Sequence, residues 1–426
     1  MIWFISLFNL VLFLILLGSV YKKPSLLVFA LLTTVVVFMI RPFAVLLHGS
    51  TILTESFYSD TNYENGLLIG TAFYLIFYVA VILCYHKKSS VPNQKKFDFV
   101  EVRIPSIFLT AAMCVLFLAL FLFVGGIDVL FVNRTASISV VAPSLRYVYP
   151  FAIIFLCIGS MQGAIMFAQK RILLGGMLLV LYLVASMILA QRGFFILFVV
   201  VGVALSLRGV KVSFRSYASM LLPFSFVLLL AVSSKQLLQT FFGSENLHAS
   251  AQHLSLSEEI LSSPDGDATE VWMLATKFTS ENGYLFGSSV VNNIFNIFPH
   301  NQRREWGLMN GSDVMNNTFT GEAYWDLGFG FNVTLPIELY INFGLFGLIP
   351  MCFVGILLGI ALRQFDDRII LQGRDPSWEV LRLYAFYTLC TSLAGLQWSI
   401  LFFVGYYLTR LRWSGTSSSK PMVNSS

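Results

Sequence analysis

The stretch that decides the fold is "MIWFISLFNLVLFLILLGSVYKK", residues 1–23, in which an apolar run over 2–20 is followed by Lys22 and Lys23. About 20 helical residues cross the hydrocarbon core of a bilayer, so this run predicts a membrane-spanning helix. The basic residues follow the run instead of preceding it, which is the reverse of a secretory signal. We therefore expect a retained span with its N-terminus outside the cell.

The same composition extends along the whole chain. Of 426 residues, 57% are hydrophobic and only 12% are charged, and the mean hydropathy is +0.77. A soluble domain carries about 25% charged residues. The chain is therefore expected to be an all-α polytopic membrane protein of about eleven spans. Apolar runs and their breakers place these spans at 2–20, 25–47, 66–85, 104–124, 147–168, 172–190, 193–210, 217–234, 334–362, 379–394 and 396–411.

The distribution of basic residues predicts which face is cytoplasmic. With alternating spans, 19 of the 27 Lys and Arg residues fall on one face, which the excess of basic residues marks as the inside. Six of the other eight are arginines, whose planar fork suits phosphate and carboxylate. Snorkelling anchors at helix ends are the alternative. The eight outer residues are Arg41, Arg134, Arg146, Arg192, Lys235, Lys277, Arg303 and Arg304.

This topology divides the chain into four parts. Residues 1–234 hold eight predicted transmembrane helices, 235–333 form one large periplasmic loop, 334–411 hold three helices, and 412–426 are a cytoplasmic tail. A loop this long is usually functional or disordered. Its second half, "VWMLATKFTSENGYLFGSSVVNNIFNIFPHNQRREWG", is amphipathic and aromatic, which is typical of a segment folded onto the membrane surface or over a cavity.

Two outward-facing basic stretches contain candidate functional residues. In "SMILAQRGFFILFVV", Arg192 lies between two apolar runs, so its guanidinium is expected near the outer interface, where ionisable residues mark functional sites. In "FPHNQRREWG", His300 precedes Arg303 and Arg304 by three and four residues. A helix there would place all three on one face. A solvated hinge is the alternative for this second stretch.

The ninth predicted span carries a carboxyl group and several small residues. Glu338 is expected about a turn inside the span, where it faces a polar cavity or, alternatively, ends the helix at the interface. Glycines at 344, 347, 355 and 359 predict close helix packing.

Several classes of chemistry have no support in the sequence. The chain contains no GxxxxGK[ST], HExxH or CxxC motif and no GxGxxG after a strand, so nucleotide hydrolysis, a Rossmann fold and zinc chemistry are not indicated. No cofactor is expected. All cysteines lie in apolar runs, so none is placed to form a disulfide in an external loop: Cys84, Cys114, Cys157, Cys352 and Cys390.

The architecture resembles a known family. Many spans, one large external loop before the last few, "QRGFF" at an external junction and "GEAYWDLGFGF…ELYINFGLFGL" resemble the Wzy-type O-antigen (oligosaccharide repeat unit) polymerases of bacterial inner membranes. The resemblance covers most of the architecture, but its specific motifs are short. It implies a multi-pass inner-membrane glycosyltransferase whose active site faces the periplasm.

The resemblance also implies a reaction and partners. Such enzymes transfer the growing glycan from undecaprenyl pyrophosphate to the next lipid-linked repeat unit, without a metal or a nucleotide. The implied partners are the lipid-linked oligosaccharides, the lipid bilayer, a chain-length regulator protein and a flippase, and no nucleic acid. An O-antigen ligase and a polysaccharide flippase or transporter remain the alternatives.

The reaction assigns candidate roles to the outward-facing residues. Negative charge develops on the leaving pyrophosphate, and arginines are its expected neutralisers. An acceptor hydroxyl needs a general base or an oriented hydrogen-bond acceptor. The candidates for pyrophosphate binding are Arg192, Arg303 and Arg304, followed by Arg134 and Arg146, and the catalytic candidates are His300 and Glu322, followed by Glu338.

Overall fold

The described part of the chain is entirely helical. The computed structural model describes residues 2–20, 60–86, 104–125, 149–169, 171–189, 268–297, 300–320 and 333–372, with the isolated positions 195, 198, 199 and 202. These residues form helices and short turns, with no strand among them. The all-α expectation is thus confirmed for this part. The spans predicted at 25–47, 217–234, 379–394 and 396–411 lie outside it, as does nearly all of 193–210.

Several helices are long and apolar enough to cross a membrane. Among the described residues these are 62–85, 104–124, 151–168 and 335–365, and each overlaps a predicted span. A membrane protein is therefore supported, while the count of eleven spans and the sidedness stay predictions. The helices are α1 (Ile2–Val20), α2 (Asp60–His86), α3 (Ile104–Gly125), α4 (Tyr149–Ala168), α5 (Ile172–Ile188), α6 (Ala268–Asn282), α7 (Ser288–Asn292), α8 (His300–Glu305), α9 (Gly311–Thr320), α10 (Leu335–Phe343) and α11 (Leu348–Gln372).

Helices α2 and α11 pack closely through glycines on α11. A Cβ added at Gly355 would lie 2.6 Å from the carbonyl oxygen of Phe77, and one at Gly359 would lie 2.5 Å from that of Val81. Only a residue without a side chain permits this approach, which confirms the close packing predicted from the small residues. The contacts advance in the same direction along both helices, so α2 and α11 run parallel.

A second group of helices, α3 to α5, packs in antiparallel fashion. Thr110 Oγ1 donates to Gln162 Oε1 at 2.7 Å, and Gln162 Nε2 donates to Ser106 Oγ at 3.0 Å. Further along, the rings of Phe117 and Phe155 stack with centroids 5.7 Å apart. Polar side chains inside this membrane bundle therefore find partners across the helix interface.

The ninth predicted span is not one continuous helix. It was expected over 334–362, but α10 ends at Phe343, and Gly344 has φ +58, a backbone conformation that favours glycine. A 3-10 turn over Gly344–Gly347 then leads into α11. Irregular backbone at membrane depth requires protein partners for its polar groups. The carbonyls of Ile341 and Asn342 accept bonds from the amides of Leu285 (3.0 Å) and Phe286 (3.1 Å), which belong to the large loop.

The start of the loop's second half is part of the helical bundle. Trp272 of α6 is fully buried, with ring centroids 5.3 Å from Phe73 on α2 and 5.7 Å from Tyr340 on α10. At Gly66 of α2, a Cβ would lie 2.8 Å from the amide nitrogen of Met273. The segment that begins at Val271 was expected on the membrane surface or over a cavity, whereas its first part, 271–282, packs between α2 and α10.

Candidate functional site

The carboxyl group of Glu338 is the centre of a buried polar cluster at the start of α10. Glu338 is 3% exposed. Its Oε1 accepts hydrogen bonds from Ser289 Oγ (2.7 Å), Asn293 Nδ2 (3.0 Å) and the amide of Gly311 (3.1 Å). The three donors come from α7, from the 3-10 turn that follows it, and from the start of α9. One carboxyl group in the first turn of α10 therefore binds three segments of the large loop.

The first turn of α9 is built to meet this carboxyl group. Asn310 Oδ1 accepts the amide of Asp313 at 2.8 Å, and Asp313 Oδ2 accepts the amide of Asn310 at 3.1 Å, which is a reciprocal capping box. The amide of Gly311, in the same turn, has no acceptor within α9 and donates to Glu338. The carboxyl group therefore lies at the N-terminus of α9, where the positive end of the helix dipole favours it. A Cβ at Gly311 would overlap the Glu338 carboxyl oxygens, so a larger residue there would displace the carboxyl group from its donors.

Asn342 extends the cluster one helical turn along α10. Its Nδ2 donates to Ser289 Oγ and to the carbonyl of Glu338, both at 2.7 Å, and its Oδ1 accepts the amide of Gly287 at 2.9 Å. The Ser289 hydroxyl thus accepts from Asn342 while it donates to Glu338. Such a connected chain of bonds orients each member and rigidifies the loop against α10.

The two arginines of "FPHNQRREWG" lie in different environments. The stretch 300–305 forms helix α8. A helix there was the condition for His300, Arg303 and Arg304 to share one face. Arg303 is buried and its Nη1 forms an ion pair with Asp313 Oδ2, also buried, whereas Arg304 is exposed. The backbone of His300 begins the helix. Arg303 is therefore joined to the first turn of α9, and Arg304 faces outward.

These contacts form one unit, which we name the loop anchor cluster. Sequence reasoning selected Glu338 and Arg303 but missed the residues that contact them. The Asn-x-x-Asp spacing at 310–313 is a capping signal that would have located the start of α9. The i, i+4 spacings within 289–293 and 338–342 are a second signal, because such pairs share one helix face. The members are Ser289, Asn293, Arg303, Gly311, Asp313, Glu338 and Asn342.

Four of the predicted site residues fall outside the described part of the chain. Arg134, Arg146, Arg192 and Glu322 lie outside the described residues, so their roles stay predictions. Within the part of the chain that the structure describes, no group of three or more His, Cys, Asp or Glu side chains is placed to hold a metal ion. The described cluster is thus a network of hydrogen bonds and one ion pair.

Comparison of the chain with models of protein families, with curated proteins and with solved structures finds no match in any of the three.

Proposed function

We propose that this chain is a polymerase of lipid-linked oligosaccharide repeat units, of the O-antigen or capsule type. The observation that carries the proposal is the placement of Glu338. It belongs to "ELYINFGLFGL", the segment with which the chain most resembles the Wzy-type polymerases, and it fastens the large loop to a broken membrane helix. Discontinuous helices with buried polar groups are common at the substrate sites of membrane proteins.

The proposed reaction is a glycosyl transfer at the periplasmic face. A hydroxyl oxygen of the acceptor sugar attacks the anomeric carbon of the growing glycan. The bond from that carbon to the pyrophosphate oxygen breaks, and undecaprenyl pyrophosphate leaves with the electron pair. The hydroxyl proton passes to a base. Cationic donors near the leaving group lower the barrier, because they stabilise charge that develops only in the transition state.

The loop anchor cluster changes how the candidate roles are distributed. Arg304 is exposed and can reach an anionic ligand, while Arg303 is engaged with Asp313. We therefore assign pyrophosphate binding to Arg304 together with Arg192, Arg134 and Arg146, and assign Arg303 to positioning the loop.

Glu338 receives a positioning role for the same reason. Three donors already surround its buried carboxyl group, so it is better placed to hold the loop than to accept a substrate proton. His300 and Glu322 are the proposed candidates for the base.

A gel of surface polysaccharide from a deletion strain tests this function. Loss of a polymerase leaves lipid A carrying a single repeat unit, and restoring the chain restores the ladder of long glycans. Lipid A with no attached glycan would indicate a ligase or a flippase instead, and an unchanged lipid A ladder would exclude a role in O-antigen synthesis for all three. Purified chain incubated with undecaprenyl-pyrophosphate-linked repeat units separates the first class directly, because only a polymerase lengthens the glycan on the lipid carrier.

A further inference from the structure

One short segment of the loop has its polar and apolar faces inverted. In α7 and the 3-10 turn after it, Ser289 and Asn293 are 1% and 2% exposed, whereas Val291 and Ile294 are 58% and 60% exposed. A surface helix in water buries its apolar side chains and exposes the polar ones. Here the polar side chains point at Glu338 and the apolar ones point away from the protein. Exposure of such an apolar outer face to water is unfavourable.

Phe286 enlarges this apolar face. Its side chain is 83% exposed, although its amide is fastened to the carbonyl of Asn342. Its φ of +49 is uncommon for a bulky residue, and Phe286 is the one non-glycine residue with positive φ among the described residues. The segment thus adopts an unfavourable backbone conformation while it keeps a large aromatic ring outside the protein core.

The apolar face adjoins a helix that can cross the membrane. A Cβ at Gly287 would lie 3.3 Å from the Phe343 ring, and one at Gly344 would lie 2.9 Å from the Tyr284 hydroxyl, so 284–287 rests against the break between α10 and α11. Residues 335–365 are long and apolar enough to span a bilayer. At the break and along α11, this stretch exposes a row of apolar side chains, which in a spanning segment contact lipid: Leu345, Phe346, Ile349, Phe353 and Leu357.

We propose that Phe286, Val291 and Ile294 form a lipid-docking face that inserts into the acyl region of the bilayer leaflet beside the break. Phospholipid acyl chains are the occupant, because 284–287 rests against the break, where Leu345 and Phe346 expose apolar side chains on a stretch that can span the bilayer. The segment then behaves as an interfacial element whose apolar side enters the leaflet and whose polar side holds Glu338. This places the loop anchor cluster at the membrane interface, at the level where a lipid-linked molecule would present its headgroup.

Spin labels in nanodiscs test the proposal without any assumption about sidedness or activity. Val291→Cys and Ile294→Cys are labelled in nanodiscs of one phosphatidylcholine, with Glu281→Cys, an exposed polar position of the same loop, as the control. The ratio of collisions with oxygen to collisions with a water-soluble nickel chelate is expected to be several-fold higher at 291 and 294 than at 281, because apolar oxygen enters the acyl region and the chelate does not. A ratio equal to the control places the face in water and overturns the proposal. Low collision rates with both reagents place it against protein, a second copy included, and overturn it equally.

In the spin-label experiment, the unsubstituted chain with its native cysteines supplies the background signal.

A second measurement tests the proposal if a labelled variant does not fold. Val291→Asp and Ile294→Asp are compared with Gln302→Asp, which changes an exposed polar residue of α8 in the same loop. A carboxylate in the acyl region is unfavourable, so the first two are expected to lower the Tm in nanodiscs and the third to leave it unchanged. Equal Tm values for all three would contradict the insertion of this face.

Discussion

At the scale of single residues, Glu338 decides how the loop meets the membrane helices. A buried hydrogen bond contributes little net free energy, but a buried donor that loses its acceptor costs about 1–3 kcal/mol. Three donors converge on one oxygen of Glu338. The effect of removing that oxygen is therefore expected to exceed the effect of any single bond.

Glu338→Ala is expected to lower the Tm of the purified chain strongly, because Ser289, Asn293 and Gly311 lose their common acceptor. Glu338→Gln keeps an oxygen at the same distance along the side chain and is expected to stay close to the unsubstituted chain. Thermal unfolding in one detergent measures both. An Ala variant as stable as the Gln variant would contradict the anchoring role.

The same pair separates two roles in the proposed reaction. If Glu338 positions the loop, the Gln variant retains most polymer formation. If Glu338 is instead the general base, the Gln variant is stable but makes no polymer, because an amide does not accept the acceptor proton.

Arg303 and Arg304 are neighbours, but their substitution is expected to change the stability by very different amounts. Arg303→Ala removes the cationic partner of the buried Asp313. Removing one partner of a buried ion pair lowers the free energy of unfolding by about 3–5 kcal/mol. Arg304→Ala changes an exposed side chain, whose substitution is usually within about 0.5 kcal/mol. Unfolding of the two variants is measured side by side, with Asp313→Ala as a third.

A double variant provides the control for the ion pair. Arg303→Ala combined with Asp313→Ala removes both charges, so it is expected to be less destabilised than the sum of the single changes. Additive losses would rule out a direct interaction.

The role proposed for Arg304 is tested by activity. Loss of polymer in Arg304→Ala at unchanged Tm would support its proposed role in binding pyrophosphate.

At the scale of elements, glycines set the distance between α2 and α11. Packing between membrane helices depends on close contact, since lipid tails are as apolar as the side chains. Along α11 the glycines face α2, with no room for a methyl group. In contrast, a Cβ added at Gly176 of α5 would meet nothing within 4 Å.

Gly355→Ala is expected to push α11 from α2 and to lower the Tm. Gly176→Ala makes the same chemical change in an open position, where alanine favours the helix by up to about 1 kcal/mol. Its Tm is therefore expected to be equal or higher. The interface would be shown to tolerate a methyl group if both variants unfolded at the same temperature.

The sequence predicts some elements well and others poorly, for physical reasons. Long apolar runs such as 104–124 are found accurately, because the bilayer requires every backbone group to be satisfied within the helix. The break at Gly344 is not predictable from hydropathy, since the hydropathy of an apolar run is the same whether its backbone is helical or not. The partners of Glu338 are 27 to 49 residues away in sequence, so only the folded chain brings them together.

At the scale of the whole molecule, the directions of the helices restrict the topology. Helices α2 and α11 run parallel, so their first residues lie on the same side of the membrane. Loop helix α6 contacts the beginning of α2, where Thr276 Oγ1 donates to the carbonyl of Asn62 at 3.2 Å. The loop and the starts of both helices therefore share one face.

The predicted topology sets the parity of the crossings between α2 and α6. Helices α3 and α4 pack antiparallel to each other, as do α4 and α5. If α3 begins on the face on which α2 ends, as the predicted topology has it, α5 ends on the face on which α2 begins, and we expect an even number of crossings before α6. The two spans predicted at 193–210 and 217–234 agree with this expectation, and with them Arg192 is predicted on the same face as the loop.

Labelling of intact cells with a membrane-impermeant maleimide tests this arrangement. Ser280→Cys, an exposed position in α6, is expected to react from outside, whereas Ser89→Cys and Ser418→Cys are expected to react only after the membrane is permeabilised. The basic connection after α2 and the basic C-terminal tail predict the cytoplasmic face for the last two. The chain with its native cysteines alone gives the background. Reaction of Ser89→Cys and Ser280→Cys under the same conditions would contradict the topology, because α2 separates the two positions by one complete crossing.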